Sequence, residues 1–368
     1  MGYKEQMDFA VAKTEENLVT FKYSFPNSQS TFYVYRGVAC ETWTDGFYTG
    51  MLMIAYEYTK DPKFLESAKY HLEMFRHRID HKLSVDHHDL GFLYSLGAVS
   101  LYKVTGVEYA KETALLAADQ LLTRYVPKGK FIRAWGPMDS PTGNRLIIDC
   151  LLNIPLLFWA TEVTGDEKYR EVATNHLYTT FDVIVRENGT THHTFFFDPV
   201  TGKPDHGETA QGYSNDSCWA RGQAWGVYGA ALAYHYTRDE KLFDVFKLLT
   251  RTFISRLPED YVPYWDMDFT DGSGEPRDSS AAPIVACGIL EMNKYFDCSE
   301  FMPYVEKMLN SLNKNYLSTR LETPSNAILT DAMYSKPAGH VPEANIWGDY
   351  YYMEALMRLL NPDWKMYW

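Results

Sequence analysis

A two-helix unit recurs along this 368-residue chain, and that repetition limits the fold more than any other feature of the sequence. Three segments share one layout: YEYTKDPKFLESAKYHLEMF from Tyr56, ATEVTGDEKYREVATNHLYTTF from Ala160 and AYHYTRDEKLFDVFKLLTRTF from Ala233. Each closes a helix with an apolar or aromatic residue and a Thr, turns through an Asp, and opens a second helix. Asp61-Pro62 shows the start signal most clearly, with Asp as N-cap and Pro at the first helical position. LYKVTGVEYAKETALLAADQLL from Leu101 is a weaker copy, and NKYFDCSEFMPYVEKMLNSL from Asn293 is a blurred one.

Reading outward from these turns predicts two alternating sets of helices. One set is charged on one face: 4–20, 62–78, 107–124, 167–185, 240–255 and 300–315. The other is apolar nearly all round: 45–58, 89–104, 149–163, 219–236, 279–296 and 348–360. One-sided helices face solvent and all-round apolar ones are buried. Six of each predict an all-α fold of two concentric rings, an (α/α)6 barrel, with a few short strands in loops. An open solenoid also stacks helical hairpins, but it needs polar caps at both ends. The final apolar helix, WGDYYYMEALMRLL, is no more polar than the middle ones, which favours closure. Strand signals are few. THHTFFFD at 191–198 alternates as a short strand does. The stretches 199–216 and 266–276 read as long polar loops, the first long enough to be functional. With no Pro/Ser-rich linker, residues 1–368 form a single domain.

The net charge of −13 argues against a nucleic-acid partner. No stretch is long and apolar enough to span a membrane. The N-terminus reads as an acidic amphipathic helix with no apolar signal region, and Gln6 spoils the myristoylation pattern after Met-Gly. The five cysteines, at 40, 150, 218, 287 and 298, form no CxxC and mostly sit in apolar runs. Buried free thiols and a cytoplasmic location are the expectation.

The buried helices begin with TWTDGF, HHDLGF, LIIDCL, WARGQAW, RDSSAAP and WGDYYY. Five of these starts carry an Asp (Asp45, Asp89, Asp149, Asp278 and Asp349), and the fourth carries Arg221. If the buried helices run parallel, all six starts meet at one rim, together with Trp43, Trp135, Trp219, Trp225 and Trp347. Helix N-termini there favour an anionic ligand, and carboxylates beside aromatic platforms suit glycoside chemistry. Any single Asp is also readable as an N-cap, with Asp45 and Asp349 the plainest cases. Asp149 stands out because its flanks, RLIIDCLLNIP, are too apolar for a surface cap. A carboxyl held there has a raised pKa and suits a general acid near neutral pH. The run Asp86-His87-His88-Asp89 resembles a metal motif only superficially, since adjacent residues rarely share one ion. Neither metal nor cofactor is expected. Of His192 and His193, one is expected to face the cleft.

Taken together, DHHDLGFLYSLGA, IIDCLLNIPLLFWA, HTFFFD, WARGQAWGVYGAAL, RDSSAAPIVACGILE and IWGDYYYMEAL resemble the unsaturated glucuronyl hydrolases, glycoside hydrolase family 88. The likeness runs from about Trp43 to the C-terminus and implies the same (α/α)6 barrel. It implies as substrate the unsaturated uronic acid that polysaccharide lyases leave at the non-reducing end of an oligosaccharide. It implies hydration of the C4=C5 double bond, with Asp149 giving a proton to C4 and then activating water, and Asp89 holding substrate hydroxyls. The same resemblance assigns Trp43 and Trp225 as ring platforms and Trp135 to the next sugar. Arg221, Gln211 and His193 become polar contacts, and His88 orients Asp89 or the substrate. For the tryptophans core packing is the rival reading; for Arg221 it is a buried ion pair to a rim Asp. A monomer or weak homodimer is expected. The related unsaturated rhamnogalacturonyl hydrolases are one alternative, and a non-catalytic carbohydrate-binding α-barrel is another.

The chain departs from the family pattern at two places. Ala210 stands beside Gln211 where some relatives carry His. In relatives that prefer sulfated fragments, a Ser-x-x-Ser-x-Lys pattern follows the family's Tyr. Here Tyr334 is followed by Ser335, Lys336, Pro337, Ala338, Gly339 and His340, so the second Ser and the Lys are out of place. Weak selection for sulfate is the expectation.

Overall fold

The computed structural model describes residues 2–368; Met1, the first residue of the Met-Gly pattern, lies outside them. Among the described residues the outer helices are Tyr3–Phe21, Pro62–Asp80, Glu108–Leu122, Glu167–Ile184, Lys241–Ser255 and Met302–Asn315. The inner ones are Asp45–Thr59, 90–105, 150–164, Ala220–Thr237, Ala281–Met292 and Ile346–Leu360. Neighbouring inner helices pack in chain order, and Ile346–Leu360 packs back on Asp45–Thr59. The ring is therefore closed, as expected, and the solenoid alternative fails.

The repeated turn has one construction. Thr59, Thr164 and Thr237 each donate a hydroxyl to the carbonyl four residues back, at 2.7, 2.6 and 2.8 Å. The next residue is left-handed: Lys60 at φ 61°, Gly165 at φ 73° and Arg238 at φ 59°. The Thr oxygen then accepts the N–H of Asp61, Asp166 or Asp239. Each Asp carboxylate in turn caps the outer helix by accepting from Lys63, Lys168 or Lys241 N–H. This satisfies a donor that the helix start would otherwise leave unpaired. The weaker copy keeps Thr105 but has Val107 in place of the Asp, so its outer helix has no side-chain cap.

Two inner helices are interrupted. A π-turn at Ser95–Val99 interrupts 90–105, and Ile154-Pro155 separates the turn Cys150–Asn153 from Pro155–Thr164. Proline lacks the N–H that a continuous helix needs. At the rim the inner helices come unusually close. A Cβ on Gly46 would lie 2.0 Å from the Phe92 carbonyl oxygen, and one on Gly91 would lie 2.2 Å from Asn153 Cα. Only glycine allows the three acid-bearing starts to approach this far. At the opposite end Trp368 plugs the barrel. It lies parallel to Tyr351, meets Phe92 edge-on and donates its indole N–H to Glu354 at 2.9 Å.

Strand structure is sparse, as expected. Phe25–Pro26 pairs with Gly37–Val38, and Tyr125–Val126 with Phe131–Ile132. A third sheet orders Arg145–Ile147, Thr194–Phe197 and Pro204–Glu208 antiparallel. The strand expected at 191–198 is Thr194–Phe197. Residues 199–216 are not all loop, because Pro204–Glu208 pairs against it. This sheet sets the Ile148 N–H on the His193 carbonyl at 3.0 Å, next to Asp149.

Asp45 and Asp349 hold the rim together. Asp349 accepts from Ile328 N–H, Leu329 N–H and Tyr35 Oη. Asp45 accepts from Thr42 N–H at 2.9 Å and pairs with Arg78 at 2.9 Å, with both ions buried. Arg78→Ala leaves that carboxylate buried without its cation, and the expected loss is about 3–5 kcal/mol. Urea unfolding of the variant checks this; an unchanged midpoint would contradict it.

Candidate functional site

The inner-helix starts surround a cavity of about 270 Å³. It is lined by Trp43, Asp89, Trp135, Ile147, Asp149, His193, Gln211, Trp219, Arg221, Trp225 and Tyr334. Nine of the ten residues expected from sequence are among these. The tenth, His88, is buried directly behind the two carboxylates.

Asp89 and Asp149 come from separate turns yet sit together. Carboxylate oxygens of both, and a ring nitrogen of His88, lie within 4.8 Å of one another. His88 Nε2 is 3.4 Å from Asp89 Oδ1 and 3.4 Å from Asp149 Oδ1. The surroundings drive the two acids apart. Burial, and then the charge of Asp89, raise the Asp149 pKa well above the carboxylate range, with Arg221 opposing. Burial also pushes Asp89 up, but His88, His87 and the Asn153 amide outweigh it, and its pKa falls below the ordinary value. The two carboxyls are thus displaced in opposite directions, the pattern that separates an acid from its charged partner. Asp149 Oδ1 has no hydrogen-bond partner, and 18% of its side chain is open to the cavity.

The histidines have distinct tasks. His87 Nδ1 accepts the Asp89 N–H at 3.1 Å, its Nε2 donates to Ser84 O at 2.8 Å, and its ring stacks on Trp135 at 4.5 Å. Burial lowers the His88 pKa to about 4, so that ring is neutral between the acids. His193 faces the cavity. Its Nδ1 accepts N–H bonds from Ala210 at 2.9 Å and Gln211 at 3.4 Å. Burial, with Arg221 and Arg145, lowers its pKa to about 3, which puts the proton on Nε2 as a neutral donor. His192 lies beside Arg186 instead.

Arg221 lines the cavity, and it also makes the buried ion pair to a rim Asp that was the rival reading. Its Nη1 donates to Asp278 at 2.6 Å and to Met333 O at 2.7 Å; its Nη2 donates to Gln211 Oε1 and Tyr334 O, both at 2.6 Å. The fork that would grip a carboxylate is spent inside the protein. Arg221 orients Gln211 and lends positive charge, sandwiched against Trp219 and Trp347.

The tryptophans divide as well. Trp43 is half-buried and donates its indole N–H to Tyr334 Oη at 2.9 Å. Trp135 is 39% exposed at the mouth, whereas Trp225 is only 1% exposed, in the floor against Phe92. Trp347 does not reach the cavity. It is fully buried behind Trp43 and bonded to Ser280 Oγ. Trp219 and Ile147 line the site without having been singled out. Trp219 was visible only as one rim tryptophan among five, and nothing in the local sequence marks Ile147.

Asp86 faces outward to pair with Arg124, so the Asp86–Asp89 run does not converge on one point. His88, Asp89 and Asp149 are the only set of three possible metal ligands among the described residues. The opposite displacements of the two acids, with neutral His88 between them, suit an acid–base pair with a spacer.

Comparison with known proteins gives one picture. Residues 20–361 match the family model described as Glycosyl Hydrolase Family 88. The chain is 45% identical over 370 residues to the unsaturated chondroitin disaccharide hydrolase of Streptococcus pneumoniae, covering 99% of this chain and 93% of that one. It is 40% identical over 364 residues to the unsaturated glucuronyl hydrolase of Bacillus sp. strain GL1, covering 97% and 96%. The crystal structure of the unsaturated glucuronyl hydrolase from Streptococcus agalactiae superposes with a TM-score of 0.94 at 45% identity, covering 99% and 94%.

Proposed function

Since the chain belongs to glycosyl hydrolase family 88, we propose that it releases the unsaturated uronic acid from the non-reducing end of lyase-generated oligosaccharides. The observation that carries this reading is the pair Asp89 and Asp149, close together in one cavity with their pKa values displaced in opposite directions.

The substrate carries a vinyl ether, whose ring oxygen pushes electron density onto C4. Protonated Asp149 gives its proton to C4, and positive charge develops at C5 and the ring oxygen. The Asp149 carboxylate left behind takes a proton from water as that water adds to C5. The hemiketal then collapses and the glycosidic bond opens. Asp89 accepts hydrogen bonds from sugar hydroxyls and keeps Asp149 protonated by its charge. The His193 Nε2–H and Gln211 offer donors, Trp43 and Trp225 bound the ring, Tyr334 sits beside Trp43, and Trp135 meets the following sugar.

Incubation with an unsaturated disaccharide from a lyase digest tests the reading, since hydration removes the ultraviolet absorbance of the C4=C5 bond. Persistence of the absorbance would exclude it.

The second sugar carries little sulfate preference in this proposal. The Lys336 ammonium is held by Glu275, and burial, with Arg221, lowers the His340 pKa, so that ring is neutral. A charge-assisted hydrogen bond contributes about 1.5–3 kcal/mol, and this stretch offers no free cation to make one. Turnover of sulfated and unsulfated unsaturated disaccharides is expected to agree within about threefold. A preference for the sulfated one of about tenfold or more would contradict it. We read the chain as a cytoplasmic monomer or weak homodimer needing no cofactor, in keeping with its five free thiols.

A further inference from the structure

We propose that Asn153 is a positioning residue for the acid pair, its amide clasping the turn that carries Asp89 to the turn that carries Asp149. The inference rests on the hydration reading above.

Asn153 ends the short turn Cys150–Asn153, just before the break at Ile154-Pro155, and it is 1% exposed. Its Oδ1 accepts the Phe92 N–H at 2.8 Å, in the first turn after Asp89. Its Nδ2 donates to the Asp149 carbonyl at 3.1 Å and to Asp89 Oδ1 at 3.4 Å. One planar amide thus bonds the backbone of both acid-bearing segments and one of the carboxylates. Its own backbone lies where a Cβ on residue 91 would fall, so Gly91 is what lets the two turns meet. The Pro155 break frees this turn from the rest of its helix, so the spacing of the carboxyls depends on local ties. A residue that served only to join two helices would need the first two bonds. The third reaches the carboxylate itself, and it favours the ionised form of Asp89.

No other common side chain does this work at this size. Leu neither donates nor accepts; an ionised Asp accepts but cannot donate. The pH dependence of Asp89 also involves what else faces it: His87 and His88 on its own segment, Asp149 and Cys150 across the gap, Arg124 from beyond the outer helix, and Tyr334 from the loop. None of these is altered by substitution at 153.

The test follows loss of ultraviolet absorbance from an unsaturated disaccharide across pH, with wild type, Asn153→Leu and Asn153→Asp. We expect kcat to fall about 10–100-fold in both variants, by analogy with the loss of groups that orient reacting residues. KM should stay within about threefold. The acid limb of kcat/KM should move to higher pH: in Asn153→Leu because a donor to Asp89 is gone, in Asn153→Asp because a like charge is added. Asn153→Asp keeps the acceptor for Phe92 N–H but buries a carboxyl against Asp89 and the Asp149 carbonyl, so it is expected to melt below wild type and is assayed at a temperature where circular dichroism shows it folded. Wild-type kcat in either variant overturns the proposal. So does a loss of activity that leaves the acid limb in place, or that only accompanies loss of the fold, because either assigns Asn153 to structure alone. A wild type that leaves the absorbance intact sinks the hydration reading and this inference with it. An active wild type with indifferent variants sinks this inference only.

Discussion

Replacing Asp149 with Asn is expected to lower turnover of an unsaturated disaccharide by about 10²–10⁴-fold, the range of a lost general acid–base group. The amide has nearly the shape of the acid but no proton to give and no charge with which to activate water. The fold should not suffer. Asp149 Oδ1 is buried without a hydrogen-bond partner, so the wild-type side chain stabilises little where it stands. Its folded pKa lies well above the ordinary carboxylate value, chiefly through burial and then through Asp89. Such a group contributes stability that is fully present below its unfolded pKa, near 3.9, and is lost as pH rises through the folded value. Asn carries no such liability. The melting temperature of the variant should equal that of wild type at acid pH and exceed it increasingly as pH rises. Activity assays and thermal melts between pH 4 and about 8 check both halves. Near-normal turnover would take Asp149 out of the chemistry.

The barrel was legible because its turn chemistry is local. Thr59-Lys60-Asp61, Thr164-Gly165-Asp166 and Thr237-Arg238-Asp239 build the same turn from bonds that span four residues or fewer. The rim acids were legible for a related reason: parallel inner helices bring their starts to one end whatever the loops do. What escaped the sequence was decided at long range. The Arg221 fork is filled by carbonyls of Met333 and Tyr334, 112 and 113 residues away, so no local pattern could separate a sugar contact from an internal ion pair. The strand Pro204–Glu208, with the sequence PDHGE, has no β-branched or aromatic residue and forms because Thr194–Phe197 offers it an edge. His87 looked like half of a metal motif, but its two nitrogens are used to brace Asp89 and Ser84. The Asn153 clasp is likewise a long-range feature, since its amide meets Phe92 from 61 residues away.

Asp89→Asn tests the other half of the pair and is expected to move the pH profile as well as the rate. The ionised Asp89 raises the Asp149 pKa across a gap of no more than 4.8 Å. Catalysis needs Asp149 protonated, so the alkaline limb of the profile follows the Asp149 pKa. Removing the neighbouring charge stabilises the Asp149 carboxylate relative to its acid, and Arg221 then acts on it unopposed by that anion. The Asp149 pKa falls, and the alkaline limb moves to lower pH. The acid limb, which follows Asp89, disappears from the profile. The rate should also drop by about 10²-fold at the optimum, because sugar hydroxyls lose their charged acceptor and the ring its alignment. His88 distinguishes this from simple disruption. It is neutral and packed between the two acids, and it keeps its place beside an amide of the same shape. A variant that lost rate with both limbs unmoved would mean that Asp89 positions the sugar without tuning Asp149, and the two carboxyls would then work independently.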